Sequence, residues 1–113
     1  MQKIDFIKMH GLGNDFVIID NRIENIDISK NLIHQLSDRK SRAGCDQLIT
    51  INSSNESDID ASIEIFNSNG DRAEACGNGT RCVAKLLFDE SQKKKLNILS
   101  DAGILHAIKK DDS

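Results

Sequence analysis

The sequence predicts an α+β fold, a sheet packed on one or two helices, and three observations predict it. Residues 58–66 alternate Ile59, Ala61, Ile63 and Ile65 with Asp60, Ser62 and Glu64, the period of a strand with one buried face. Residues 29–39 and 79–90 instead space their apolar side chains at the helical period. Several neighbouring strand-like runs are joined by links too short for a crossover, so the order β-β-α-β-β-α-β-β argues against a doubly wound parallel sheet. The 113 residues are one domain's length of chain, 1–113 forming a single unit with one core.

Each element has its own local reason. Residues 4–9 and 16–19 read as two strands around His10-Gly11-Leu12-Gly13-Asn14-Asp15, whose glycines permit a tight turn. Ser29 is a good N-cap for a helix to about Arg39, with Leu32, Ile33 and Leu36 on its apolar stripe. Leu48, Ile49 and Ile51 mark a third strand, and the polar run 52–57 an exposed loop. After the alternating strand, residues 67–71 form a turn. A helix over 79–90 then carries Cys82, Val83, Leu86 and Leu87 inward, with Gly77-Asn78-Gly79 opening it. Residues 96–99 and 104–108 are two last strands about Asp101-Ala102-Gly103.

Composition excludes several functions. With 38% hydrophobic and 29% charged residues the chain has the make-up of an ordinary globular protein rather than a disordered or coiled-coil one. It has no Pro, Trp or Tyr and four Phe, so the core is aliphatic and stacking platforms for nucleic acid are not expected. A net charge of -3 with scattered basic residues offers no face to a phosphate backbone or an anionic membrane. Lys93-Lys94-Lys95 reads as a solvated link between helix and strand. No apolar run approaches the roughly 20 residues of a membrane span, and the chain reads as cytoplasmic.

Cys45, Cys76 and Cys82 are odd in number and lack metal-ligand spacing, which fits reduced thiols rather than disulfides or zinc. Cys76 stands just before a helix, where unpaired N–H groups and the positive end of the dipole favour the thiolate. Without a Cβ at Gly77 or Gly79, a carboxylate can approach the same N–H groups. A small buried Cys76 before a plain turn fits the same local pattern, and the segment alone does not decide between them. Cys82 belongs to the apolar stripe and Cys45 to a loop with nothing to activate it. Gly11-x-Gly13 is half a dinucleotide fingerprint, better read as a turn presenting Asn14. His10, His34 and His106 read as structural or solvated, and Asp58, Asp60 and Glu64 as the wet face of one strand.

Three segments together are more specific than any one. Lys8-Met9-His10-Gly11-Leu12-Gly13-Asn14-Asp15-Phe16, Gly44-Cys45-Asp46-Gln47-Leu48, and Phe66-Asn67-Ser68-Asn69-Gly70 leading into Cys76-Gly77-Asn78-Gly79-Thr80-Arg81-Cys82 occur in the order and spacing of diaminopimelate epimerases. The chain resembles the amino-terminal half of that family over essentially its whole length.

The resemblance implies a mixed sheet wrapped around the helix that begins near Gly79, one of two similar domains. It implies an enzyme that interconverts LL- and meso-diaminopimelate without pyridoxal phosphate or metal, on the route to lysine and peptidoglycan. One cysteine thiolate removes the α-proton and a second thiol returns one to the opposite face. Cys76 matches the first-half cysteine; Gly77 and Asn78 match the helix-end residues that receive the substrate, and Asn14, Gln47 and Asn67 match its polar contacts. The second cysteine, in a Cys-Gly-Ser/Thr-Gly helix start, belongs to a carboxy-terminal domain outside this chain, so the 113 residues alone are expected to be inactive. A homodimer is left open. Cys45 has no thiol counterpart in many relatives, and Ser100-Asp101 replaces a usual threonine before Ala-Gly. A proline- or hydroxyproline-type racemase and a non-catalytic half-site module are the alternatives; the three amides favour the diaminopimelate branch.

Overall fold

Strand β1 (Ile7–Gly11) turns back on β2 (Asn14–Asp20), with Gly11 opposite Asn14 and Gly13 at a φ of 88°, a left-handed value that glycine adopts without strain. The structure is a computed structural model and describes residues 6–11, 13–23, 26–37, 45–73 and 77–109. Helix α1 (Lys30–Ser37) crosses to β3 (Gln47–Asn52), which lies parallel to β2 and antiparallel to β4 (Ala61–Asn67). A two-residue strand, β5 (Arg72–Ala73), pairs with the end of β4 and precedes α2 (Gly77–Glu90). Strand β6 (Lys95–Ser100) lies parallel to the start of β4, and β7 (Gly103–Ile108) closes an antiparallel hairpin with it. The sheet order is β1-β2-β3-β4-β6-β7, with β5 beside β4.

The sheet is therefore mixed, and the α+β reading holds. The elements fall where periodicity put them, with four differences. Strand β1 runs on to Gly11, so the reversal takes two residues rather than six. Helix α2 begins at Gly77, two residues early. The alternating strand starts at Ala61, because Asp60 turns aside. Its backbone N–H donates to the Asn97 carbonyl at 2.9 Å, and its carboxylate accepts the Asn97 N–H at 2.7 Å and pairs with Lys93. Asp60 thus ties a loop to β6 instead of sitting on a wet strand face. Strand β5 carries too few residues to show a period. Residues 4, 5, 38 and 39 of the expected elements lie outside the described residues.

The two helices cover opposite faces. Val17, Ile19, Ile33, Cys45, Leu48 and Phe66 form a core under α1; Phe16, Ile18, Ile49, Ile51, Ile63, Ile65, Val83, Leu87 and Ile98 form the larger one under α2. Four consecutive residues of β2 and of β3 are consequently buried, which explains their unbroken apolar runs, whereas β4 is covered mainly on one face and alternates. Both crossovers advance the same way across the sheet, but between strand pairs of opposite direction. Crossovers of a single hand then place their helices on opposite faces, as the right-handed rule requires.

Surface ion pairs tie distant segments. Arg22 donates to Asp20 at 2.6 Å and to Glu90 at 2.5 Å, fastening the end of β2 to the end of α2. The Arg22 hydrogen bond holds the Asp20 carboxyl below the usual carboxylate range, and the two carboxylates push the guanidinium up. The Lys93 hydrogen bond, helped by the Asn97 N–H, lowers Asp60 likewise. Arg72 lies over the Phe66 ring and donates at 2.7 Å to both Glu64 and Asp101, joining β4, β5 and the β6–β7 turn. In that turn Ser100 Oγ accepts the Ala102 N–H at 3.2 Å and donates to the Gly103 carbonyl at 3.1 Å. The Ser100-Asp101 departure thus has a structural occupation.

Candidate active site at the amino terminus of α2

Strand direction alone brings the expected amides together. Parallel β2 and β3 begin at the same edge of the sheet, and antiparallel β4 ends there, with Gln47 paired across the ladders to Phe16 on one side and Asn67 on the other. Side chains alternate along a strand, so Asn14 shares the face of Phe16, Gln47 that of Ile49, and Asn67 that of Ile65. This is the face covered by α2. Gln47 Nε2 donates to Asn67 Oδ1 at 3.1 Å. The Asn67 N–H donates to the Asp71 carbonyl at 2.8 Å, closing the turn that leads to β5.

Helix α2 starts over the same edge because of a missing side chain. A Cβ on Gly79 would lie 2.6 Å from Ile49 Cδ1 and 3.1 Å from Phe16 Cε1, so only glycine lets the first turn rest on the sheet. One turn on, Cys82 Sγ lies 3.9 Å from the His10 carbonyl it can donate to, anchoring the helix to β1. Asn78 is half-buried beside Gly11: a Cβ on Gly11 would meet Asn78 Cβ at 3.7 Å. The first turn of α2 itself carries no acidic residue, and a helix start leaves N–H groups and the positive end of the dipole for a ligand.

Asn14, Gln47, Asn67, Gly77 and Asn78 are thus gathered at one end of one face. Asn14, Gln47, Asn67 and Asn78 are half-buried. Such amides donate and accept, and with helix N–H groups suit a ligand carrying both ammonium and carboxylate. Cys76 lies outside the described residues; in sequence it immediately precedes Gly77, the first residue of α2. Cys82 is buried in the core, as its stripe position indicates. Cys45, just before β3, is also buried, under α1. Among the histidines, His10 pairs with Asp15 and His106 with Asn97 Oδ1 at 2.7 Å, while His34 is exposed. Among the described residues no group of three or more His, Cys, Asp or Glu could hold a metal ion, and no helix is long and apolar enough to cross a membrane.

Sequence reasoning missed Asp46. Its carboxylate accepts the Asp15 N–H at 2.8 Å while its own N–H donates to the Asp15 carbonyl at 3.0 Å, just outside the β2–β3 ladder. No periodicity marks such a residue; the one available signal was an acidic residue directly before Gln47. A groove of about 270 Å³, lined by Ile7, Ile18, Ile51, Leu86 and Leu87 with the Arg22 cluster, lies towards the other end of α2, away from the amides.

The same fold occurs in methylitaconate-delta-isomerase, with a TM-score of 0.73 at 18% identity over 98% of this chain and 61% of that one. It occurs also in a hydroxyproline epimerase from Agrobacterium vitis, with a TM-score of 0.61 at 16% identity over 94% of this chain and 37% of that one. The class is therefore the mixed-sheet half-barrel that an isomerase and an epimerase share. Within it, a family model for diaminopimelate epimerase matches residues 6–113, and the chain belongs to that family. The diaminopimelate epimerase of Pelagibacter ubique (strain HTCC1062) is 53% identical over 102 residues, 90% of this chain and 36% of that protein. That of Aromatoleum aromaticum (strain DSM 19018 / LMG 30748 / EbN1) is 37% identical over 109 residues, 95% of this chain and 39% of that protein. The chain spans less than two-fifths of the length of either relative.

Proposed function

We propose that this chain supplies one half of the active site of a cofactor-independent epimerase that interconverts LL- and meso-diaminopimelate for lysine and peptidoglycan synthesis in the cytoplasm. Residues 1–113 are one domain, and a second domain faces the edge where the amides gather. Cys76 is one of two thiols on opposite sides of the substrate α-carbon. As thiolate it takes the α-proton and becomes a thiol, leaving the electron pair on carbon and the adjoining carboxylate. The opposite thiol gives its proton to the other face and becomes a thiolate, so the centre inverts with no net change in protons. Gly77 and Asn78, in the first turn of α2, receive the carboxylate where negative charge develops. Asn14, Gln47 and Asn67 hold the remaining polar groups.

The observation that supports this reading is the convergence of three amides from three strands on the amino terminus of α2, directly after Cys76. A substrate with two amino-acid ends calls for more donors and acceptors than proline does, which favours diaminopimelate over a proline-type substrate. The complete protein, incubated with LL-diaminopimelate in deuterated water, should form the meso isomer with deuterium at the inverted carbon. Cys76→Ala should abolish both inversion and exchange; an active variant overturns the assignment. The 113 residues alone should give no epimerisation.

A further inference from the structure

We infer that Asp46 is a positioning residue for the substrate-binding amides, and this rests on the function proposed above. Two hydrogen bonds link Asp15 and Asp46 reciprocally: the Asp15 N–H to Asp46 Oδ2 at 2.8 Å and the Asp46 N–H to the Asp15 carbonyl at 3.0 Å. Asn14 directly precedes Asp15, and Gln47 directly follows Asp46. The linkage therefore sits between the two amides in the chain, one residue from each.

The paired ladder of β2 and β3 begins only at Phe16 and Gln47. Asn14 and Asp15 project past it; β1 pairs with them on one side, at Gly11 and His10, and their β3 side frays unless tied. The Asp46 carboxylate supplies a charge-assisted bond at that point, stronger than the neutral ladder bonds it extends. The Asp15 side chain pairs in turn with His10 on β1, so the hairpin tip and the start of β3 are held as one piece. Asp46 is exposed, so its contribution to global stability is small compared with its effect on where Asn14 and Gln47 stand.

The test uses the complete protein and steady-state epimerisation of diaminopimelate. Asp46→Ala should raise KM about tenfold, with kcat changed less and the melting temperature nearly unchanged. Asp46→Asn, which keeps an acceptor for the Asp15 N–H, should restore KM to within about threefold of the parent. In an Asn14→Ala/Gln47→Ala background, Asp46→Ala should add little further, because its effect acts through those amides. A full tenfold penalty in that background, or a parental KM in Asp46→Ala, overturns the inference. If Asp46→Ala does not fold, Asp46→Glu displaces the carboxylate without emptying the position. It should raise KM several-fold, and a parental KM there also overturns the inference. Failure of the functional reading is separate: the parent protein itself would then not turn over diaminopimelate.

Discussion

Gly79 and Ile49 are in such close contact that a single added carbon on the glycine would stand 2.6 Å from the isoleucine Cδ1. Ile49 is fully buried, so the methyl has nowhere to retreat. Gly79→Ala gains up to about 1 kcal/mol of helix propensity but should lose more by overpacking, for a net destabilisation of about 1–2 kcal/mol. Thermal unfolding should show a drop of several degrees. Ile49→Val removes the offending Cδ1, and combining the two substitutions should recover part of the loss. Equal melting temperatures for Gly79→Ala and the parent would contradict the close approach.

The Gln47–Asn67 hydrogen bond predicts coupling between the two amides. In the complete protein, Gln47→Ala and Asn67→Ala should each raise KM for diaminopimelate several-fold. The double variant should fall short of the product by a coupling of about 0.5–1 kcal/mol. Strictly multiplicative effects would mean the amides act independently.

How much of this was legible beforehand depended on whether a residue's role is periodic. The alternation of Ile59, Ala61, Ile63 and Ile65 and the stripe of Cys82, Val83 and Leu87 record burial directly, and both elements lie close to where that pattern put them. Asn14, Gln47 and Asn67 were singled out through a family resemblance; their meeting at one edge depends on β2 and β3 being parallel and β4 antiparallel, which no local pattern encodes. Asp46, Asp60 and Arg72 join residues 29 to 37 positions apart through side chains, and such contacts leave no trace in spacing.

Acid should loosen the fold through Asp60 and Asp20. Their carboxyls are held below the unfolded value by Lys93 and Arg22 respectively, so each contributes stability that is complete above about pH 4 and is lost as pH falls through the lower folded value. Denaturant midpoints measured from pH 6 down to pH 2 should therefore fall most steeply below about pH 4. Asp60→Asn should lower stability at pH 6 and flatten that acid limb; an unchanged limb would show that the Lys93 pair carries no linkage.

Buried thiols react slowly with alkylating reagents. Cys45 and Cys82 are 2% and 7% exposed, so iodoacetamide followed by peptide mapping should find both protected in the folded protein and both modified in denaturant. Rapid native labelling of either would place it at the surface.

Arg72→Lys tests the join between β5 and the β6–β7 turn. Lysine keeps the charge but cannot fork between Glu64 and Asp101 or lie flat on Phe66. With the partners about two-fifths exposed, the loss should be below about 1 kcal/mol, read as a small shift in denaturant midpoint.

The pairing of β4 is uneven: six registered pairs bind it to β3, but only two, Ala61 with Ile98 and Ser62 with Leu99, bind it to β6. Mechanically, this is a seam. Opening of the β6–β7 hairpin as a unit would break only those two pairs to β4, but it would also uncover Leu96 and Ile98 in the core under α2, and side-chain ties at Asp60 and Asp101 brace the same joint. Amide protons of β6 and β7 should then exchange through a sub-global opening of lower free energy than those at the centre of β3. The breathing of the domain would be concentrated along this one line.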